Sequence, residues 1–155
     1  MSAASNYLEN EVLDHVLGEG ARDFTSPASV HIALFSGTAS DVLAALEAGT
    51  NSTTGTGNWG HYEITGNNYA RRPANFATAS GGSSALSGDV TFATATGDYN
   101  NTATSGATVT CIAVVDNASS GAGSCLFYGQ LDNAKEILNG DTFQVSSGNL
   151  TISLA

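Results

Sequence analysis

The sequence predicts a mainly β protein, an antiparallel, jelly-roll-like β-sandwich with one α-helix at its N-terminus. From Pro27 onward, short runs of β-branched and aromatic residues alternate with clusters of Gly, Asn, Asp and Ser, which is typical of sandwiches and barrels. Strong helical periodicity occurs only before Gly18. The length of 155 residues suits one domain, 1–155, that buries most of its apolar surface.

The N-terminal helix is expected within residues 1–20, because aliphatic side chains recur there at helical spacing. This stripe consists of Leu8, Val12, Leu13, Val16 and Leu17. We expect the stripe to pack on the core, so that Leu13→Asp would release the helix. Asn6 is expected to cap the first turn, in a capping box with Glu9, and Gly18 and Gly20 to end the helix.

The rest of the chain reads as strands joined by turns, with one further helix. Val30–Phe35 alternates two apolar faces and is predicted to be a central strand, and a short helix is expected over 40–49. The segment 49–68, rich in Gly, Asn and Thr, is predicted to be a long loop or a small hairpin. Further strands are expected at 69–78, 89–94, 108–115, 125–131, 142–145 and 149–154.

Two cysteines fall on the predicted hairpin of strands 108–115 and 125–131. Cys111 is expected opposite a residue near Tyr128 and not opposite Cys125, so a disulfide would need a slipped register. We therefore interpret both thiols as small buried apolar groups.

The charge balance excludes several classes of partner. The net charge is −10, with 14 acidic residues against only four basic ones, Arg22, Arg71, Arg72 and Lys135. No basic face can neutralise phosphates, so direct nucleic-acid binding is not expected. No apolar run reaches the ~20 residues that span a bilayer, so membrane residence is not expected either.

Charged residues make up only 12% of the chain, about half the usual share. Because few side chains are long and charged, little rotamer entropy is lost when a partner covers the surface. This property suits a protein that works in an assembly. Residues 1–10 do not resemble a secretory signal, so synthesis and use are expected to begin in a cytoplasm.

The sequence offers no pattern that predicts catalysis, so we predict a protein that is not an enzyme and has no cofactor. His15, His31 and His61 lie far apart, and the scattered loop aspartates include no twelve-residue calcium loop, so no metal site is predicted. A nucleophile elbow and a phosphate-binding lysine loop are also absent.

One aromatic and basic segment is the candidate partner-binding site. The residues are Trp59, Tyr62, Tyr69, Arg71 and Arg72. Trp, Tyr and Arg are the usual anchors of interfaces. The alternative is that Trp59 plugs one end of the sandwich and that the arginines pair with local acids.

Several segments resemble small virion proteins of tailed bacteriophages, including cyanophages, of the tail-fibre-like or head-decoration group. The similar segments are 5–18, 24–35, Tyr69-Ala-Arg71, Val90-Thr-Phe-Ala-Thr-Ala-Thr-Gly97, Ile112-Ala-Val-Val-Asp116, Leu126-Phe-Tyr-Gly-Gln-Leu131 and Gly140-Asp-Thr-Phe143. The resemblance covers most of the chain except 47–66. It implies a structural virion protein and no catalytic residue.

Three functions are compatible with this resemblance and with the residues. The first is a capsid decoration, or cement, protein that binds the major capsid protein on the outer surface of the head lattice and self-associates, with a trimer natural at lattice three-folds. The second is a tail adaptor or fibre-associated protein that binds other virion proteins. The third is a host-glycan-binding module in which Trp59 and Tyr62 form a stacking platform.

Overall fold

The computed structural model describes residues 3–18, 25–103 and 108–154. Its helices are α1 (Asn6–Leu17) and α2 (Ala39–Ala48), with one 3-10 turn at Trp59–His61. Its strands are β1 (Ala3–Ala4), β2 (Val30–Phe35), β3 (Arg72–Ala74), β4 (Ser83–Ala85), β5 (Val90–Thr91), β6 (Thr108–Val115), β7 (Cys125–Glu136), β8 (Gln144–Val145) and β9 (Thr151–Ser153). All strand pairings among these residues are antiparallel.

The strands form a sandwich in the described part of the chain. The five-stranded sheet has the order β1-β7-β6-β2-β3, and two two-stranded ladders, β4-β9 and β5-β8, lie apart from it. Ile32 and Leu34 point from one face of β2 into a core shared with Phe92 and Phe143 from the ladder side. The prediction of a mainly β antiparallel sandwich with an N-terminal helix is confirmed.

The opposite face of the sheet is covered by α2 and the Trp59 turn. Ala33 and Phe35 lie on this face of β2 and share a second core with Leu46 and Trp59. The alternation predicted for β2 is confirmed, because its two sets of side chains enter two different cores.

The hairpin of β6 and β7 is the longest pairing of the fold. Residues 116–124 connect the two strands, as predicted. Cys111 lies opposite Gln130, two residues from the expected Tyr128, and Cys125 lies opposite Val115. Both cysteines are buried and free, as the sequence predicts.

Several expected strand limits are wrong, although the strands themselves exist. The run 69–78 is a strand only over β3, where three residues pair with β2. β7 continues five residues beyond the predicted end, to Glu136. Its register with β6 is irregular there, because β7 advances five residues from Gln130 to Lys135 while β6 advances two.

The cap of α1 differs from the prediction by one residue. The Leu8 N–H donates to the Ser5 hydroxyl at 3.3 Å, so Ser5 and not Asn6 is the N-cap. Ser5 is also bonded to the sheet, because its N–H donates to the Leu126 carbonyl of β7 at 3.0 Å. Gly18 ends α1 with a φ of 76°, as expected, and its N–H donates to the Asp14 carbonyl. The second predicted stop, Gly20, lies outside the described residues.

The predicted burial of the α1 stripe is wrong for four of its five residues. Leu8 is buried, whereas the other four side chains are exposed: Val12 39%, Leu13 54%, Val16 72% and Leu17 69%. The helix begins directly after β1, the edge strand of the five-stranded sheet, and Leu8 in its first turn is the residue of the stripe that the body of the fold covers.

Candidate interaction surface

The structure buries most of the segment that the sequence nominated for binding. Trp59, Tyr62 and Arg71 are only 1%, 5% and 4% exposed, whereas Tyr69 and Arg72 are partly exposed. Neither the Trp59 nor the Tyr62 ring presents an open face for stacking. The binding role of these five residues stays a prediction.

Arg71 is the centre of a buried ion pair with Glu63. Its Nε donates to Glu63 Oε1 at 2.7 Å and its Nη2 donates to Oε2 at 2.8 Å, a bidentate geometry. Its Nη1 donates to the carbonyls of Asn117 and Ala122, both at 2.9 Å. A single guanidinium therefore ties the Glu63 loop to the loop that connects β6 and β7.

The Glu63 carboxylate receives two further hydrogen bonds. The Tyr69 hydroxyl donates to Oε1 at 3.2 Å and the Ser120 hydroxyl donates to Oε1 at 3.1 Å. Burial, followed by the nearby Glu63 charge, raises the pKa of Tyr69 well above its ordinary value. Tyr69 therefore keeps its proton and serves as a donor, while it accepts a hydrogen bond from the Leu34 N–H at 3.0 Å.

Trp59 packs between this ion pair and the core. The Arg71 guanidinium carbon lies 5.4 Å from the Trp59 ring centre, a cation-π distance. On its other side, Trp59 meets Phe35 edge to face, with ring centres 6.2 Å apart. The alternative interpretation, in which Trp59 plugs one end of the sandwich and the arginines pair with local acids, holds in part: Trp59 is buried and Arg71 pairs with an acid, whereas no ion pair of Arg72 is present among the described residues.

Sequence reasoning missed Glu63. A signal was present, because Glu63 is the only acidic residue between Glu47 and Asp89, and Arg71 and Arg72 are the only basic ones there. A lone acid in an almost uncharged segment that also holds both arginines indicates a pair.

Val12 and Leu13, two of the exposed aliphatic residues of α1, line an open apolar groove of about 660 Å³. The groove lies between α1, the residues before β2, the start of β7 and the end of β9. It is lined mainly by Ala4, Leu8, Val12, Leu13, Pro27, Val30, Leu126, Phe127 and Leu154. Leu154 is 67% exposed at its rim. We call this feature the α1 groove.

A second depression of about 340 Å³ continues the α1 groove across the molecule. The two share Val30, Leu126, Phe127 and Leu154, and the second adds Phe76 and Ile152. Contiguous apolar surface often marks an interaction site. The α1 groove is therefore a candidate surface for a protein partner.

The charge beside the α1 groove is acidic. Glu9 lines the groove, and Glu11 and Asp14 lie on the same helix. In the part of the chain that the structure describes, no cluster of three or more His, Cys, Asp or Glu could hold a metal ion. No helix among these residues has the length and apolarity needed to cross a membrane.

These features define a β-sandwich protein with an internally braced loop region and an open apolar surface, the architecture of a component of a larger assembly. The family model described as "Podophage GP4 fiber I protein gp80" matches residues 3–153. The chain therefore belongs to this family of podophage fibre proteins, and it is a structural protein of a phage virion. No curated protein matches the chain.

Proposed function

We propose that this protein is a fibre-associated component of a podophage tail and that the α1 groove attaches it to another virion protein. The exposed aliphatic stripe of α1 is the observation that carries the proposal. Asn6–Leu17 form a capped, regular helix, yet Leu13, Val16 and Leu17 are more than half exposed. A helix that keeps such a face in water gains free energy when a partner covers it.

The family description supports the fibre-associated function over capsid decoration. A small sandwich with an apolar surface is compatible with either location in the particle. The name of the matching family, however, refers to a fibre and not to a head.

Immunogold labelling of intact particles with an antibody against this chain tests the location. Label restricted to the tail is the expected result. Label distributed over the head surface, with a copy number near that of the major capsid protein, would overturn the proposal and favour decoration.

An assembly assay tests the surface. Particles are assembled with Leu13→Ser, which changes a residue that lines the groove, or, as the matched control, with Leu138→Ser, since Leu138 is also an exposed leucine, at 41%. Leu13→Ser should reduce incorporation of the chain into tails, whereas Leu138→Ser should not. Equal incorporation of both variants would contradict attachment through the α1 groove.

A further inference from the structure

We infer that the α1 groove binds an amphipathic helix of a different virion protein, one with aliphatic side chains on one face and Lys or Arg beside them. This inference rests on the proposed function, because it names the partner of the same surface. It distinguishes that partner from an extended strand and from a second copy of this chain.

The lining of the groove favours a helix over an extended strand. A strand placed in an apolar groove must leave backbone N–H and C=O groups unpaired unless a sheet edge receives them, and each unpaired group costs free energy. One sheet edge that borders the groove, the outer side of β7, is already occupied. Ala3 and Ala4 pair there with Tyr128 and Phe127, and the Ser5 N–H takes the Leu126 carbonyl. A helix satisfies its own backbone and needs no such edge.

The shape of the surface suits a helix lying beside α1. The aliphatic ridge of α1 and the groove next to it form one continuous surface, because Val12 and Leu13 belong to both. The 12 residues of α1 span roughly 18 Å. A partner helix of similar length, packed at the usual 8–10 Å between axes, would cover the ridge and place its own aliphatic side chains in the groove.

The charges favour a basic partner. Glu9 stands in the groove wall and the chain carries a net charge of −10, so Lys or Arg beside the apolar face of the partner would lie near a carboxylate. A basic partner is favoured over an acidic one, because an acidic partner would add like-charge repulsion when it covers the apolar surface.

In a symmetric groove-to-groove contact, the described residues of a second copy do not supply that charge. Its net charge is −10, so two copies repel each other. Among the described cations, Arg71 is buried in its ion pair and Arg72 is half-buried. Lys135 lies nine residues along β7 from Leu126, roughly 30 Å from the groove. The remaining cation, Arg22, lies outside the described residues.

The test uses the full chain and a synthetic peptide of about 18 residues, long enough for roughly 27 Å of helix. Leu occupies one face of the peptide and Lys flanks that face, and a matched peptide carries Glu in place of Lys. Fluorescence anisotropy should show the Leu/Lys peptide binding at least about tenfold tighter than the Leu/Glu peptide. The Leu13→Ser/Leu17→Ser double variant should weaken binding about tenfold, and the Leu138→Ser control should not.

The serine variants should fold, because the replaced side chains are exposed; circular dichroism and thermal unfolding check this. Equal binding of the two peptides, or equal binding by the double variant and the control, would overturn the inference. So would sedimentation showing a dimer or trimer that Leu13→Ser dissociates, since a second copy would then cover the groove. If the immunogold label lies on the tail and the peptide experiment fails, this inference is wrong but the proposed function stands. If the label lies on the head, the proposed function is wrong whatever the peptide experiment shows.

Discussion

Arg71 and Glu63 form a bidentate ion pair inside the protein, with N–O distances of 2.7 and 2.8 Å and side chains 0% and 2% exposed. The two residues are eight positions apart in a segment with little regular structure. The pair therefore joins the Glu63 segment, which contacts β2 through an isolated bridge at Phe35, to the residue just before β3.

Breaking this pair should strongly destabilise the fold. Arg71→Ala leaves the Glu63 carboxylate buried without its cation and frees the carbonyls of Asn117 and Ala122, so we expect a loss of about 3–5 kcal/mol in the free energy of unfolding. Urea denaturation of the parent and the variant measures this loss. The control Lys135→Ala removes an exposed cation and should change stability by less than about 0.5 kcal/mol. Similar effects of both variants would contradict a stabilising role for the pair.

Gly60 should tolerate no side chain. A Cβ atom at this position would lie 2.1 Å from the Asn51 carbonyl oxygen, a contact that only a backbone shift can relieve. Gly60→Ala should cost about 1–3 kcal/mol, whereas Gly57→Ala in the same loop meets no atom within 4 Å and should be nearly neutral. Thermal unfolding of the two variants checks the difference. Equal midpoints would mean that the loop adjusts freely.

The helix α1 should be held by Leu8 and not by the residues beyond it. Leu8 is 7% exposed, so Leu8→Ala should cost about 2–5 kcal/mol; Leu13 is 54% exposed, so Leu13→Ala should change stability by less than about 0.5 kcal/mol. By the same argument, Leu13→Asp should leave the helix attached, contrary to the expectation from the sequence. Guanidinium denaturation followed by circular dichroism compares the variants. A larger loss from Leu13→Ala would refute the observed orientation of α1.

His31 should make the protein less stable in mild acid. The residue is 8% exposed, and burial, followed by the Arg71 charge, lowers its pKa below the ordinary 6.5. As pH falls through 6.5, the unfolded chain takes up a proton that the folded chain does not, so the free energy of unfolding decreases. The His31→Gln variant lacks this contribution. Its urea midpoint should therefore fall less than that of the parent between neutral and mildly acidic pH. Parallel pH curves for the two proteins would rule the effect out.

Neither thiol should react in the native protein. Burial raises the pKa of Cys111, and burial also raises the pKa of Cys125 to about 12. At mildly alkaline pH, a thiol reagent such as dithionitrobenzoate should modify almost no cysteine until denaturant is added and should then modify both. Rapid labelling of Cys125 in the folded protein would show that the start of β7 opens.

The parts of the fold that the sequence predicted well are those in which one local pattern decides the outcome. Val30–Phe35 and Thr108–Val115 are strands at the expected positions, because continuous apolar, β-branched runs suit a sheet buried on both faces. Short strands such as Ser83–Ala85 carry no such pattern; this strand exists because it pairs with β9, far away in the sequence.

The surface was harder to predict for two physical reasons. Amphipathicity identifies a helix and its apolar face, but it does not say whether that face meets the core of the same chain or another protein; in α1, only Leu8 meets the core. Conversely, Trp59 and Arg71 are residue types that suit an interface, yet in this chain they satisfy each other and Glu63 inside the fold.

The attachment of α1 to the sheet has a mechanical consequence. At its N-terminal end, α1 follows directly on Ser5, whose backbone and hydroxyl are both bonded to β7, and on the two paired residues Ala3 and Ala4. Tension applied to α1 along the strand direction would load these bonds together in shear and not peel them one after another. A force applied to this end of the helix would therefore be transmitted directly to the five-stranded sheet.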